Sequence, residues 1–409
     1  MSQPSAASTM AGQARQRIEE TEQDRITRAS SNFADFEKDM PSIASRFQFS
    51  LKDNLSSYLG NRNPFFQYVD PKTDTVWLFD NTAYQNRIGR WHTEVVAAYF
   101  VKNSGKDLGQ VVGWISDKVG LAKDDAAEAT IAKRVQPLLD QILPAHAVTL
   151  DLQGIQVKLG PSGRDGISTD ELSIPGHDYK DGQVITSKAV NADATTLKTT
   201  FATATGWAII SDVDDTIKKT LTSSPVGILK TTFADEPEPI KGMPELYKYM
   251  VSKFDRPPFW YLSASPYNLY PFLREFRDTY YPTGTMILRD ASWMNLGGFL
   301  AGLTQGTESY KFDRMEKIQK QFPKRKFICI GDSTQSDPEA YGKMYREHKK
   351  WIRAIFIRKV TGVEGMDEEK KNAPSRFDDA FKDVPKSVWT VFESPEELYA
   401  KVDALASSK

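Results

Sequence analysis

The 409-residue chain is predicted to be an α/β protein. Its C-terminal half rests on a parallel sheet, preceded by a mixed α+β region and a small antiparallel β domain. Three observations carry this reading. After Gly206, short runs that are apolar throughout alternate with helical patterns, as in a parallel sheet covered on both faces. Between about 146 and 204, apolar and polar residues alternate with a period of two instead. The densest polar motifs then follow directly on the apolar runs, and in open parallel sheets sites lie outside the carboxyl ends of the strands.

In chain order, residues 1–48 are rich in Ser, Gln, Glu and Arg and read as a polar arm, disordered or helical. Ile18 and Ile26 are the sparse apolar positions of its possible helix. Residues 49–145 form a mixed or helical region: Val76-Trp77-Leu78-Phe79 and Glu94 to Val101 suit strands, and Gln110 to Val119 and Ala126 to Leu143 carry helical spacing. In 146–204, Val148, Leu150 and Leu152 alternate with polar neighbours, and Ile155, Val157 and Leu159 do so after Gly154. The 205–409 unit contributes strands at Ala208-Ile209-Ile210, Phe259 to Leu262, Met286 to Leu288, Phe327 to Ile330 and Trp351 to Ile357, with helices at Pro244 to Lys253 and about Tyr310 to Gln321. Gly297 to Leu303 is an apolar segment that suits either a lip against lipid or inward packing.

Lys and Arg total 53 against 54 Asp and Glu, so no global field draws the chain to nucleic acid or to a strongly anionic membrane. No window approaches the ~18 apolar residues of a spanning helix. The first residues have no signal-peptide core and are too acidic for a transit peptide. A soluble, cytoplasmic protein with at most peripheral membrane contact is expected. The one cysteine, Cys329, lies among apolar residues and reads as a buried hydrophobe. His92, His146, His177 and His348 lack zinc-ligand spacing, and no nucleophile elbow or phosphate-binding P-loop is present.

Asp212-Val213-Asp214-Asp215-Thr216 leaves the first strand of the C-terminal unit. A period of two points Asp212 and Asp214 the same way, and carboxylates that close repel unless a cation intervenes or one stays protonated. Either outcome suits phosphoryl transfer, with one acid attacking phosphorus and the other moving protons. A calcium loop would want Gly at its sixth position and Glu at its twelfth, where this chain has Ile217 and Ser223. Ser263 ends the next strand, where its hydroxyl can meet a phosphoryl oxygen. Ser265-Pro266 reads as a helix start that aims backbone N–H groups at the same place, or as a plain cap. Lys311 opens the helix before the fourth strand, which opposes the macrodipole by ~0.3–1 kcal/mol and fits a residue kept for an anion as well as a solvated one. Asp332 follows the fourth strand, placed to complete a magnesium site with Asp212, since a hard ion wants oxygen ligands. Asp337 before Pro338 reads as an N-cap or as a residue behind the metal.

These motifs together resemble the haloacid-dehalogenase (HAD) superfamily, and most closely the fungal actin-patch-associated phosphatidate phosphatases. The resemblance runs through Ser-Asp-Val-Asp-Asp-Thr-Ile-Lys at 211–218, Gly-Met-Pro-Glu-Leu-Tyr at 242–247 and Trp-Tyr-Leu-Ser-Ala-Ser-Pro-Tyr-Asn-Leu-Tyr-Pro-Phe-Leu at 260–273. It continues through Tyr-Lys at 310–311, Ile-Gly-Asp-Ser-Thr-Gln-Ser-Asp-Pro-Glu-Ala-Tyr at 330–341 and Ile-Phe-Ile-Arg-Lys-Val at 355–360. Trp-Leu-Phe-Asp-Asn-Thr-Ala-Tyr at 77–84 looks like the family's N-terminal region. The resemblance implies a HAD-like Rossmannoid fold for 205–409 and Mg2+ as cofactor. It implies Asp212 as nucleophile and metal ligand, Asp214 as general acid/base with its carbonyl a further ligand, Ser263 and Lys311 on the phosphoryl group, and Asp332 and Asp337 serving the metal. It implies phosphatidate as substrate, yielding diacylglycerol at a membrane surface, and actin-patch or endocytic partners at cortical sites. A soluble phosphomonoester, a phosphoprotein or a non-catalytic adaptor role are the alternatives the residues leave open. The family usually has glycine where this chain has Thr334; a positive φ there would strain a threonine.

Overall fold

The structure is a computed structural model that describes residues 21–41, 64–105, 108–176, 178–289 and 296–408, with the side chains of residues 30 and 296–298 excepted. The N-terminal part is a sheet of β1 (Gln67–Tyr68), β2 (Asp74–Leu78), β3 (Asn81–Gln85), β4 (Trp91–Val101), β5 (His146–Leu152), β6 (Ile155–Leu159), β7 (Ile167–Ser173), β8 (Val184–Val190) and β9 (Leu197–Ala202). Its order is β1-β5-β8-β9-β3-β4-β2, with β6 paired to β5 and β7 to β4. Alternation along the first half of β4 buries Trp91, Thr93 and Val95, one face of the strand, and from Ala97 to Phe100 both faces are covered.

This sheet corrects the expected division at residue 146. β3 pairs with β9 in parallel, placing Ala83 opposite Phe201, and β4 pairs with β7 antiparallel. The strands assigned to 49–145 and to 146–204 therefore interleave in one sheet. Alternation identifies a strand but not its partner, which is chosen by cross-strand packing between residues far apart in sequence.

The helices Leu108–Lys118 and Asp125–Leu139 form near the expected segments, but the second stops at Leu139, short of the expected Leu143, and Ile142 lies beyond it. Asp124 starts the second, its side chain accepting from the N–H groups of Ala126 and Ala127, the usual satisfaction of orphan donors at a helix start.

The C-terminal sheet has six strands: β10 (Trp207–Asp212), β11 (Phe259–Pro266), β12 (Thr285–Arg289), β13 (Lys326–Asp332), β14 (Ile352–Arg358) and β15 (Trp389–Phe392). Their order is β12-β11-β10-β13-β14-β15, with every neighbouring pair parallel. All of β11 is buried, which explains why its sequence is apolar rather than alternating. The chain leaves β10 toward β11 and β12, then returns to lay β13 on the other side of β10. That reversal opens a crevice at the carboxyl ends of β10 and β13.

The two sheets share core. Phe79 stacks on Tyr270 with ring centroids 4.0 Å apart, and the Thr82 and Thr285 hydroxyls are 2.6 Å apart. The described part of the N-terminal arm is helical and docked: Glu22–Ser30 and Phe33–Lys38, with Phe33 fully buried. The rest of residues 1–48 lies outside the described residues. The helix Leu296–Thr304 turns Phe299, Leu300 and Leu303 inward, with Phe299 against Phe233, so these described apolar side chains pack inward rather than form a lip. No helix among the described residues is long and apolar enough to cross a membrane.

Candidate active site

Asp212 ends β10 and Asp332 ends β13, on either side of the crevice. Asp337, the first residue of the helix Asp337–Glu347, points back at them. Carboxylate oxygens of Asp212, Asp332 and Asp337 all lie within 4.8 Å of one another, and all three residues are buried. Lys311 enters the same cluster, its Nζ 2.6 Å from Asp212 Oδ1 and 2.5 Å from Asp337 Oδ1. Thr216 sits between Asp212 Oδ2 and Asp332 Oδ2, at 3.0 and 3.1 Å, sharing its one proton between them.

Three details of the sequence reading change. Lys311 does not open its helix, which begins at Thr307; it projects from the second turn, so its placement is a matter of charge pairing and not of the macrodipole. Asp337 is not an N-cap: Ser336 holds that place, and Asp337 accepts instead from Lys311 and, at 3.2 Å, from the Asp332 N–H. Ser265-Pro266 does not start a helix. β11 runs through Pro266 and a 3-10 turn precedes the helix Tyr270–Tyr280, so the Ser265 N–H closes on Ser263 Oγ at 2.9 Å.

Asp214 takes its hydrogen bonds from residues outside this cluster. Its Oδ2 accepts from Ser263 Oγ at 2.6 Å and its Oδ1 from Thr220 Oγ1 at 2.9 Å. Asp215 holds the loop that follows. With φ at 58°, it turns its carboxylate onto the N–H groups of Thr220, Leu221 and Thr222 at 2.7–2.9 Å, while Arg358 donates to its carbonyl. Thr334 is absent from the residues with positive φ, so threonine is unstrained where the family usually has glycine. Its hydroxyl and N–H both donate to Asp332 Oδ1 at 2.5 Å.

Electrostatically the cluster is over-supplied with negative charge. Burial pushes the Asp212 carboxyl well above the usual carboxylate range; Lys311 pulls it part of the way back, and Asp337, Asp332 and Asp214 push it up again. Asp332 is pushed up to about 7 by burial, then by Asp337 and Asp215. Burial lowers the pKa of Lys311, but Asp212, Asp337 and Asp332 outweigh it and hold the pKa of the ammonium above its ordinary value. One ammonium against three converging carboxylates leaves a deficit of positive charge. A hard divalent cation with oxygen ligands fits that deficit.

Several contributors have no signal in the sequence. Arg376 ties the loop after β13 by donating to the carbonyls of Ser333 and Gln335, yet nothing marks it among the arginines of its segment. The docked arm adds Asp24, whose Oδ2 accepts from the Gly306 N–H at 2.8 Å at the start of the Lys311 helix, and Thr27, which donates to the Thr334 carbonyl. Thr216 alone was visible, as the last member of the acidic motif. Cys329 is fully buried and burial pushes its thiol well up, as its apolar neighbours predict.

Residues 207–359 match the family model described as phosphatidate phosphatase APP1, catalytic domain. The phosphatidate phosphatase APP1 of Saccharomyces cerevisiae is 32% identical over 174 residues, covering 41% of this chain and 29% of that protein. An uncharacterized protein of Schizosaccharomyces pombe is 27% identical over 160 residues, covering 38% of this chain and 25% of its own. The chain thus spans less than a third of the length of either relative.

Proposed function

We propose that this protein, whose residues 207–359 match the family model described as phosphatidate phosphatase APP1, catalytic domain, is a HAD-type, magnesium-dependent phosphatase that hydrolyses phosphatidate to diacylglycerol and phosphate. The observation that carries the reading is the buried convergence of Asp212, Lys311, Asp332 and Asp337 in the crevice between β10 and β13.

In this mechanism a carboxylate oxygen of Asp212 attacks phosphorus and the P–O bond to the glycerol oxygen breaks. That oxygen keeps the electron pair and takes a proton from Asp214. Asp214, now a carboxylate, removes a proton from water; the water oxygen attacks the aspartyl-phosphate, the P–O bond to Asp212 breaks, and phosphate leaves. Lys311 and Ser263 hold phosphoryl oxygens, Lys311 by charge and Ser263 by its hydroxyl once it lets go of Asp214. Magnesium, which Asp212, Asp332, Asp337 and the Asp214 carbonyl would hold, supplies positive charge against the phosphoryl oxygens when bound. The substrate is met at a membrane surface, from the cytoplasmic side, by a peripheral protein.

The test is phosphate release from phosphatidate in mixed micelles, with magnesium or with chelator, for the wild type and Asp212→Asn. Release that needs magnesium and falls by several orders of magnitude in the variant is expected, each ~1.4 kcal/mol of lost transition-state stabilisation being tenfold in rate. A variant that keeps a third of the turnover ends the mechanism. Release from soluble phosphomonoesters but not from phosphatidate would keep the chemistry and replace the substrate.

A further inference from the structure

Both oxygens of the Asp214 carboxylate are held, from opposite directions. Ser263, on β11, donates to Oδ2 at 2.6 Å. Thr220, on the loop after β10, donates to Oδ1 at 2.9 Å. Ser263 belongs to the phosphoryl side of the site, whereas Thr220 belongs to a fully buried scaffold. Its N–H donates to Asp215 Oδ1 at 2.9 Å, and its carbonyl accepts from Thr231 Oγ1 at 2.8 Å. Lys218, itself buried, brings its Nζ to 3.3 Å from Thr220 Oγ1. An ammonium only donates, so it occupies a lone pair of that hydroxyl and leaves the single Thr220 proton to point elsewhere. The Lys218 carbonyl competes for the proton at 3.4 Å; the Asp214 carboxylate is both nearer and the stronger acceptor.

We propose that Thr220 is the positioning residue of the general acid: it holds Asp214 by Oδ1 and so selects Oδ2 as the oxygen that delivers the proton. The inference rests on the phosphatase reading above. With Oδ1 engaged by a fixed donor, the proton of the neutral acid resides on Oδ2, the oxygen that faces Ser263. In the first step the Oδ2–H bond breaks and the proton passes to the leaving oxygen as that oxygen takes up the electron pair of the P–O bond. The Ser263 hydroxyl, no longer donating to Oδ2, turns to a phosphoryl oxygen. Without Thr220 the carboxyl group is free to rotate and present either oxygen.

Proton delivery matters most when the leaving oxygen is basic, and this supplies a readout that a merely structural role would not move. Thr220→Val and Thr220→Ser are compared with the wild type on a series of soluble phosphomonoesters, from nitrophenyl phosphate to simple alkyl phosphates, with thermal melts as the check on folding. General acid–base assistance is worth about 10²–10⁴-fold. Thr220→Val is therefore expected to lose roughly ten- to a hundredfold in kcat on alkyl esters but only a fewfold on nitrophenyl phosphate. KM should change little, and Thr220→Ser should restore most of the loss. An equal loss on all esters, or a folded serine variant that restores nothing, overturns the role of Thr220 and leaves the phosphatase reading standing. A wild type that releases phosphate neither from this series nor from phosphatidate in mixed micelles, or an Asp212→Asn variant as active as the wild type, overturns both.

Discussion

Asp80 and Arg277 meet at 2.5 Å with both side chains out of solvent. Asp80 follows β2 in the N-terminal sheet, and Arg277 lies on the helix Tyr270–Tyr280 that covers the C-terminal one. The same carboxylate also accepts from Arg274 Nε and Nη2 and from the Lys198 N–H, so a single acid joins the two sheets. Removing one member of such a pair leaves the other charge buried and uncompensated, at about 3–5 kcal/mol. Arg277 keeps a second partner in Asp278 at 2.7 Å, which sets the expectation for Asp80→Ala at the low end, about 3 kcal/mol. Denaturant unfolding measures it. A loss under about 1 kcal/mol would place the pair among those that merely break even with solvent.

Thr334 is the second point where one residue decides geometry. Its hydroxyl donates to Asp332 Oδ1 and is itself 3.0 Å from Thr222 Oγ1, so the loop after β10 and the loop after β13 are tied through it. Thr334→Gly keeps the N–H that Asp332 also uses but frees the carboxylate to swing. Groups that orient metal ligands typically contribute 10–100-fold to affinity. The variant is expected to need roughly tenfold more magnesium for half-maximal phosphate release. An unchanged magnesium titration would show that the backbone donor suffices.

What the sequence made legible follows from where the determinants lie. Asp212 and Asp332 end apolar strands, and a strand's end is local information, so their convergence on one edge of a parallel sheet could be read directly. Ser263, expected at a strand's end, lies within β11, which runs on to Pro266. Lys311 and Asp337 were placed near the site for reasons that fail in detail. The helix of Lys311 starts a turn earlier than its apolar spacing suggests, and the Asp337 side chain answers a lysine 26 residues away in sequence rather than its own helix. The pairing of β3 with β9 was not legible at all, because it joins segments more than a hundred residues apart whose alternation is equally consistent with other partners. Nor was the docking of Asp24 on Gly306, since a polar helix with few apolar positions gives no periodic sign of the face it buries.

Lys371 supplies a pH dependence of stability. It is buried, donates to the Gln23 carbonyl of the docked arm at 2.9 Å, and has its pKa brought down to about 7 by burial first and then by Arg376, with Glu339, Asp24 and Asp332 opposing. The unfolded chain holds this proton up to the ordinary lysine value of 10.5, so between pH 7 and that value the unfolded state binds more protons than the folded one. Stability from this group therefore rises with pH across the window; it is fully present above the unfolded pKa and is lost as pH falls through about 7. Lys371→Met removes the titration while keeping the length of the side chain. Measured by thermal melts at several pH values between 6.5 and 9.5, the variant should gain on the wild type at the acid end and lose that advantage at the alkaline end. A difference in melting temperature that stays constant across the range would mean that Lys371 keeps its charge in the folded protein, held by the Gln23 carbonyl and the acids around it.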